Sequence, residues 1–297
     1  MHVADKISFS PVIAGTMKWG RWGVAYDRSG YEKMIEGCLD LGVTSFDHAD
    51  IYGDYTTEEE FGAVLQSKPH LRTQMQLISK CGIKMIGPYR PQHQIKSYDS
   101  SFEHIIASAE RSLKNLHTDY LDLLLIHRPD PLMHPDEIAR AFEFLHQQGK
   151  VRQFGVSNFN TSQLALIGSR IPISCNQIEA SVFHLAPFLD GTLDHHIQHN
   201  ILMMAWSPLG GGVLGNDARN EKADRIKKAA AGLSEKYQCL PDQLLLAWLM
   251  MHPAKPIPVL GTSKLERVKG AMEAKGLSLD REDWFRLWTA STGQDVP

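Results

Sequence analysis

The spacing of apolar residues along the chain switches repeatedly between two patterns. Short runs that are hydrophobic almost throughout alternate with longer stretches in which apolar residues recur every three or four positions. The first pattern reads as strands buried on both faces, the second as helices with one buried stripe. The most continuous run, Leu121-Asp122-Leu123-Leu124-Leu125-Ile126, stops at His127, and Arg128-Pro129-Asp130 turns the chain. Seven other runs qualify, at 11–16, 43–47, 75–80, 151–157, 173–178, 201–206 and 257–260. Between them lie the helical stripes. Tyr31, Met34, Ile35, Cys38 and Leu39 form one that Gly42 ends, and Phe61, Val64 and Leu65 form the next. Phe102, Ile105, Ile106, Ala109, Leu113 and Leu116 make a long third stripe. Pro135 opens a fourth through Ile138, Ala141, Phe142 and Leu145, with Gly149 as its stop. Asn160 is placed to cap a short helix carrying Leu164 and Ile167, and helical spacing returns at 226–237 and 244–251. Thr57 with Glu60, and Ser263 with Glu266, have the spacing of capping boxes.

Eight strand-helix alternations in a chain of 297 residues predict an α/β protein of the (β/α)8 TIM barrel type. An open sheet of that many strands would need a second domain, and no linker-like segment divides the sequence, so residues 1–297 are expected to form one domain. A last stripe, with Trp284, Leu287 and Trp288, predicts an extra C-terminal helix over 279–290 whose tryptophans pack outside the barrel.

Composition narrows the function. With 43% hydrophobic and 22% charged residues the chain can bury a large core, and a formal net charge of -3 gives no bulk basic field. Nucleic acid and anionic membrane surfaces are therefore poor partners on electrostatic grounds. Cys38, Cys81, Cys175 and Cys239 show no CxxC spacing, so neither a disulfide framework nor a zinc site is expected. The first residues lack the pattern of a signal peptide and no run reaches membrane-spanning length, so a cytoplasmic protein is expected.

The predicted strand ends carry the chemistry. Asp47, Lys80 and His127 each close a strand, and Tyr52 follows Asp47 by five residues. In parallel barrels the loops leaving the C-terminal strand ends converge on one mouth. A tyrosine is a poor acid, with a pKa of about 10, but a neighbouring ammonium favours its ionised form and makes it a better proton donor. Asp47 would hold Lys80 charged, and His127 would orient a substrate carbonyl. A nucleophile or metal to attack that carbonyl is missing from the set, so a soluble hydride carrier is the natural complement.

These residues sit in a series of ordered blocks. They are Gly15-Thr16-Met17-Lys18-Trp19-Gly20, Phe46-Asp47-His48-Ala49-Asp50-Ile51-Tyr52-Gly53, Ser79-Lys80, the stretch 121–131, and 149–159 with its Gly155-Val156-Ser157-Asn158. Asn176-Gln177, Ala205-Trp206-Ser207-Pro208-Leu209-Gly210-Gly211-Gly212 and Pro258-Val259-Leu260-Gly261-Thr262-Ser263-Lys264-Leu265-Glu266-Arg267 follow. Over essentially its whole length the chain resembles the aldo-keto reductases. The resemblance implies a tetrad of Asp47, Tyr52, Lys80 and His127, with Tyr52 the general acid in reduction of an aldehyde or ketone by NADPH. It implies that Thr16, Met17 and Asp47 border the cofactor, that Ser157, Asn158 and Gln177 hold the nicotinamide carboxamide, and that Trp206 stacks on the ring. Ser207, Leu209 and Gly210 would line the pyrophosphate path. Gly261, Thr262, Ser263, Lys264 and Arg267 would form the turn for the adenosine phosphate, whose two cations favour NADPH over NADH. Gly270-Ala271 stands where many relatives carry a Glu-Asn pair at the adenine.

Competing readings explain fewer residues. Gly210-Gly211-Gly212-Val213-Leu214-Gly215 matches GxGxxG, but no apolar helix follows it as a dinucleotide fold requires. His195 and His199 have zinc-ligand spacing without a third ligand, and a solvated helix face is the simpler reading for His195, His196 and His199. His48 and Asp50 suggest a metal-dependent hydrolase, which leaves Tyr52 and Lys80 idle. A barrel that binds NADPH as a regulatory or scaffold subunit is the remaining alternative. The pocket walls are expected from 19–27, 81–98, 216–221 and 292–297, with Trp19, Trp22 and Tyr89 near an open mouth.

Overall fold

The computed structural model describes residues 7–215 and 220–297. Eight strands form its centre: β1 Ile13–Gly15, β2 Ser45–Asp47, β3 Gln76–Cys81, β4 Leu121–Ile126, β5 Val151–Ser157, β6 Cys175–Glu179, β7 Leu202–Trp206 and β8 Ile257–Leu260. Each pairs in parallel with its neighbours in sequence, and β8 pairs with β1, so the sheet closes into a barrel. Parallel neighbours need a crossover of a dozen or more residues, which the intervening helical stripes supply.

Two layers of core hold this arrangement. Ile13, Ile78, Leu123, Leu125, Cys175, Met204 and Val259 form a cluster of their own, contributed by six of the eight strands. They fill the inside of the barrel. The intervening positions, such as Phe46, Leu77, Leu124, Phe154, Val156 and Leu260, belong to a larger cluster with the helix stripes. Strands covered on both sides explain why the sequence runs were hydrophobic almost throughout. The barrel wall is also tight: a Cβ on Gly155 would come within 2.5 Å of the Cys175 carbonyl oxygen. That closeness requires glycine in β5.

The expected extra helix is present as Arg281–Thr292. Trp284 lies parallel on Trp248, with ring centroids 4.7 Å apart, and each indole N–H donates to the other residue's carbonyl at 3.0 Å. Lys236 and Tyr237, from the helix Glu221–Tyr237, both reach the buried Asp283 carboxylate, at 2.6 Å. Tryptophan packing with both of these indole N–H groups satisfied stabilises the helix where it lies.

Local details depart from the sequence expectations. Asn160 and Gln163 do form a capping box. Neither of the two boxes predicted elsewhere forms. Thr56 is the residue that precedes the helix Thr57–Ser67, and Glu60 turns to Thr56 and Tyr31 hydroxyls at 3.0 and 2.7 Å, drawn by tertiary partners. Lys264, not Ser263, occupies the N-cap of the helix Leu265–Ala274 and makes no side-chain cap there. His196 is buried rather than solvated, its Nε2 3.2 Å from Asn176 Nδ2, while His195 and His199 face each other at 4.3 Å. The segment after β3 is not a plain loop, since Ile83–Lys84 pairs antiparallel with Ser97–Tyr98.

The end of the barrel opposite the strand termini is closed by charge. Asp122, near the start of β4, accepts from the Arg72 guanidinium at 2.8 Å and from the Leu77 backbone N–H at 2.9 Å, and Arg152 reaches its other oxygen at 3.2 Å. Arg72 also donates to Thr118 Oγ1 and to the carbonyls of Met75 and Tyr120. Removing one member of such a buried set leaves the other charge without its partner. Asp122→Ala should therefore destabilise the protein by about 3–5 kcal/mol in urea unfolding followed by circular dichroism. Adding Arg72→Met removes the unpaired charge but also the bonds to Thr118, Met75 and Tyr120, so it should recover part of that loss, and strictly additive effects of the two substitutions would contradict the assignment.

Candidate active site

Side chains alternate sides along a strand, and this parity assembles the site. Ile78 and Leu125 face the barrel interior, so Lys80 and His127, two residues further on, point the same way at the C-terminal rim. The relation repeats for Ser45 and Asp47, Gly155 and Ser157, Cys175 and Gln177, and Met204 and Trp206. Asp47 lies in register with Gly15 and Ile78, and Ser157 with Gln177.

Lys80 is almost fully buried, and its ammonium donates to Asp47 Oδ2 at 2.7 Å, to the His48 carbonyl at 2.8 Å and to Tyr52 Oη at 3.1 Å. Burial alone would push its proton off, but the Asp47 charge and the Tyr52 oxygen outweigh burial and raise its pKa. Lys80 is thus a permanent cation. An ammonium has three protons and accepts nothing, so Tyr52 Oη is the acceptor in that pair. The phenolic proton is left over, and no acceptor among the described residues takes it. Burial raises the Tyr52 pKa and prevails over the opposing pull of Lys80 and Arg128. The ammonium acts in the expected direction, favouring the phenolate, while burial raises the pKa on balance and keeps the phenol protonated at rest.

The turn that carries Tyr52 is strained. Gly53, Asp54 and Tyr55 have φ of 60°, 57° and 74°, the left-handed region that side chains disfavour. Its braces are visible. Trp22 Nε1 donates to Asp54 Oδ1 at 3.0 Å, the Met85 N–H donates to the Tyr55 hydroxyl at 2.8 Å, and Arg90 lies 4.3 Å over the Tyr55 ring. Trp22 also packs its edge against Tyr52, at 6.2 Å.

His127 stands with its ring centroid 6.1 Å from that of Tyr52, edge to face. Its backbone N–H donates to the Cys81 carbonyl at 2.8 Å, which fixes the residue, while its buried Nδ1 has no partner. Burial, reinforced by Lys80, Arg128 and Lys96, lowers its pKa well below the usual range, so the imidazole is neutral. His48 is similar: burial and Lys80 push its pKa down to about 3, and its Nδ1 lies 3.0 Å from Thr16 Oγ1. Asp50 responds to different neighbours, its pKa raised by burial and by Glu58 against the pull of Arg111. No group of three histidine, cysteine or carboxylate side chains among the described residues is arranged to hold a metal.

A second network continues around the rim. Asp47 Oδ1 accepts from Gln177 Nε2 at 2.8 Å, and the Gln177 carbonyl accepts from Ser157 Oγ at 2.8 Å and from the Asn158 N–H at 3.0 Å. Asn158 donates to Ser157 Oγ and receives the Trp206 indole N–H at 3.0 Å. The Thr16 hydroxyl donates to the Asp47 carbonyl at 3.1 Å, and Met17 is partly exposed beside it. Ser207 has a φ of 49°, and a Cβ on Gly210 would strike the Phe183 ring at 2.7 Å, so the backbone there is pressed close to its neighbours. Gly261 is exposed, with nothing near its Cα on the side a Cβ would take. The Thr262 carbonyl accepts from Trp19 Nε1 at 3.0 Å and the Ser263 carbonyl from the Tyr26 hydroxyl. Lys264 and Arg267 are exposed and form no ion pair with another described residue. Gly270 is on the same helix, and its nearest neighbour in space is Gln243.

Trp19 is not a pocket wall. It is fully buried, stacked on Phe61 at 6.4 Å and edged by Tyr31 and Phe46. Tyr89 is half exposed, with Arg21 5.8 Å over its ring. The C-terminal segment is tied to the helix Glu221–Tyr237 through Arg225, which donates to the Ala290 carbonyl at 3.1 Å. The expected wall at 216–219 lies outside the described residues. Two contributors had no signal in the sequence: the His48 carbonyl, a backbone group, and Arg128, whose guanidinium lies 5.6 Å over Trp206.

The sequence model of the Aldo/keto reductase family matches residues 11–290, and the chain belongs to that family. It is 47% identical to the oxidoreductase YdhF of Escherichia coli (strain K12), over 97% of this chain and 96% of that protein. It is 36% identical to a 6-dehydroglucose reductase of Agrobacterium fabrum, over 99% and 98% of the two chains. The solved structure of a glycerol dehydrogenase from Gluconobacter oxydans superposes with a TM-score of 0.86 at 25% identity, covering 99% of this chain and 96% of that one. The protein is an oxidoreductase on the (β/α)8 fold.

The neutral state of His127 can be measured. Its imidazole nitrogens should show no titration between pH 8 and about 5.5 in nitrogen-15 spectra, where an ordinary histidine is half protonated near 6.5. A normal midpoint for His127, assigned by comparison with His127→Gln, would contradict the burial argument.

Proposed function

We propose that this oxidoreductase is an NADPH-dependent reductase of small aldehydes or ketones in which Tyr52 is the general acid. The observation that carries the reading is the Lys80 ammonium, whose three protons go to Asp47, the His48 carbonyl and Tyr52, so that the Tyr52 proton is free to leave toward the mouth. NADPH, when bound, supplies the hydride. Tyr52 supplies the proton to the carbonyl oxygen, and Lys80 stabilises the phenolate left behind, at short range in a buried site. Neutral His127 can donate one N–H to the same oxygen without competing as an acid. Asp47 keeps Lys80 charged and in place. The Agrobacterium relative's name, 6-dehydroglucose reductase, agrees with a carbonyl substrate.

The residues also fit the cofactor. Trp206 is an aromatic plane held by its indole N–H, Ser157, Asn158 and Gln177 form a polar edge beside it, and Ser207, Leu209 and Gly210 continue from it. Lys264 and Arg267 bring two cations that pair with no described residue to the start of a helix, where free N–H groups add to the attraction for phosphate. They are the reason for preferring NADPH.

Tyr52→Phe removes the transferable proton and little else. Turnover with a reactive aldehyde, followed by NADPH absorbance, should fall by roughly two orders of magnitude or more, with NADPH affinity nearly unchanged. Near-normal turnover would remove Tyr52 from the mechanism. Wild-type protein that binds NADPH stoichiometrically and turns over no carbonyl compound would instead support a regulatory barrel.

Lys264→Met and Arg267→Met test the choice of cofactor. Each loses a charge-assisted contact of about 1.5–3 kcal/mol, so NADPH should bind roughly ten- to hundredfold more weakly while NADH binding barely changes. Equal losses for both cofactors in fluorescence titration would point to damage at the helix start and withdraw the phosphate assignment.

A further inference from the structure

The site reading leaves one cation unexplained. Arg128 directly follows His127, and the turn that holds it is tied at both ends. The His127 N–H donates to the Cys81 carbonyl at 2.8 Å. The Asp130 carboxylate accepts from the Ser100 N–H and hydroxyl at 3.2 and 3.0 Å and from the Leu132 N–H at 2.8 Å. Arg128 therefore starts from a fixed point on the rim. Its side chain is partly exposed, and its guanidinium carbon lies 5.6 Å from the centre of the Trp206 ring.

A guanidinium over an indole interacts with the ring through its charge, and its N–H groups stay available for a planar partner. No ion pair or hydrogen bond engages those N–H groups among the described residues. The carboxylates of the rim are placed otherwise. Asp54 takes Trp22 and Arg21, at 3.0 and 3.7 Å, Asp130 is held by Ser100, and Glu179, in register with Trp206 at the end of β6, makes no ion pair with Arg128. Arg128 is the residue next to His127, so its charge stands beside the reacting groups, and it acts on both Tyr52 and His127. A cation that pairs with no described anion thus stands beside the groups that would reduce a carbonyl. A carboxylate is the partner that a guanidinium edge recognises in two parallel hydrogen bonds.

We infer that Arg128 anchors a carboxylate carried by the substrate, so that the preferred substrates are aldehydes or ketones bearing a carboxylate away from the reacting carbonyl. The inference rests on the reductase reading and makes it specific. Arg128 acts here as a specificity residue, with Tyr52 keeping its role as acid.

The test compares p-carboxybenzaldehyde with the uncharged p-carbamoylbenzaldehyde, of nearly the same shape, at saturating NADPH. Wild-type protein should show the higher kcat/KM for the carboxylate, and added salt should narrow the gap. In R128M the ratio of the two kcat/KM values should fall roughly ten- to hundredfold, and R128K should lie between. An equal ratio in wild type and R128M, or weakened NADPH binding in R128M with the ratio unchanged, would overturn the inference. Binding of p-(hydroxymethyl)benzoate, read from tryptophan fluorescence, separates this from the reductase reading. If neither aldehyde is turned over, weaker binding in R128M than in wild type would still support the carboxylate anchor, and equal binding would end it.

Discussion

A buried ammonium has to satisfy three protons without water, and the way Lys80 does so governs the rest of the site. Its acceptors are a carboxylate, a backbone carbonyl and a phenol. Each bond fixes something further. Asp47, held through one oxygen, offers the other to Gln177, whose carbonyl gathers Ser157 and Asn158, and Asn158 takes the Trp206 indole. One connected network therefore runs from the proton-donating tyrosine to the aromatic plane across the rim. In a low-dielectric interior such a network is favourable only when every member is paired, which makes its geometry stringent.

The same cation sets the charge of its neighbours. Lys80 contributes to the low pKa of His48 and of His127, so two imidazoles beside it remain neutral, and burial acts in the same direction on both. Tyr52 is under opposing influences, with burial retaining its proton and Lys80 favouring its loss. A phenol in that balance is protonated at rest and stabilised once it has given its proton up. The cost of the arrangement appears in the backbone, where three successive left-handed residues follow Tyr52 and need bracing from Trp22, Met85 and Arg90.

The two ends of the barrel divide the work. At the end where β4 begins, Asp122 and Arg72 tie strand to loop with no group left over for chemistry. At the other rim Arg128, Lys264 and Arg267 make no ion pair with another described residue, and Nδ1 of His127 has no partner among them. Satisfied polar groups stabilise a fold, while unsatisfied ones at a mouth are available to a ligand.

The order of elements was legible in the sequence because burial on both faces leaves uninterrupted apolar runs, and a closed barrel of sequential neighbours follows from eight of them. The meeting of Asp47, Lys80 and His127 at one rim was legible too, since strand parity carries them to one face once the strand ends are known. Local signals failed where a tertiary partner competed. Glu60 left the predicted capping box for Tyr31, Trp19 went into the core between Tyr31, Phe46 and Phe61, and His196 turned inward to Asn176. The protonation of Tyr52 and the freedom of Arg128 were likewise beyond the reach of sequence pattern. Burial and charge pairing depend on distances between residues far apart in the chain, and only the closed barrel determines them.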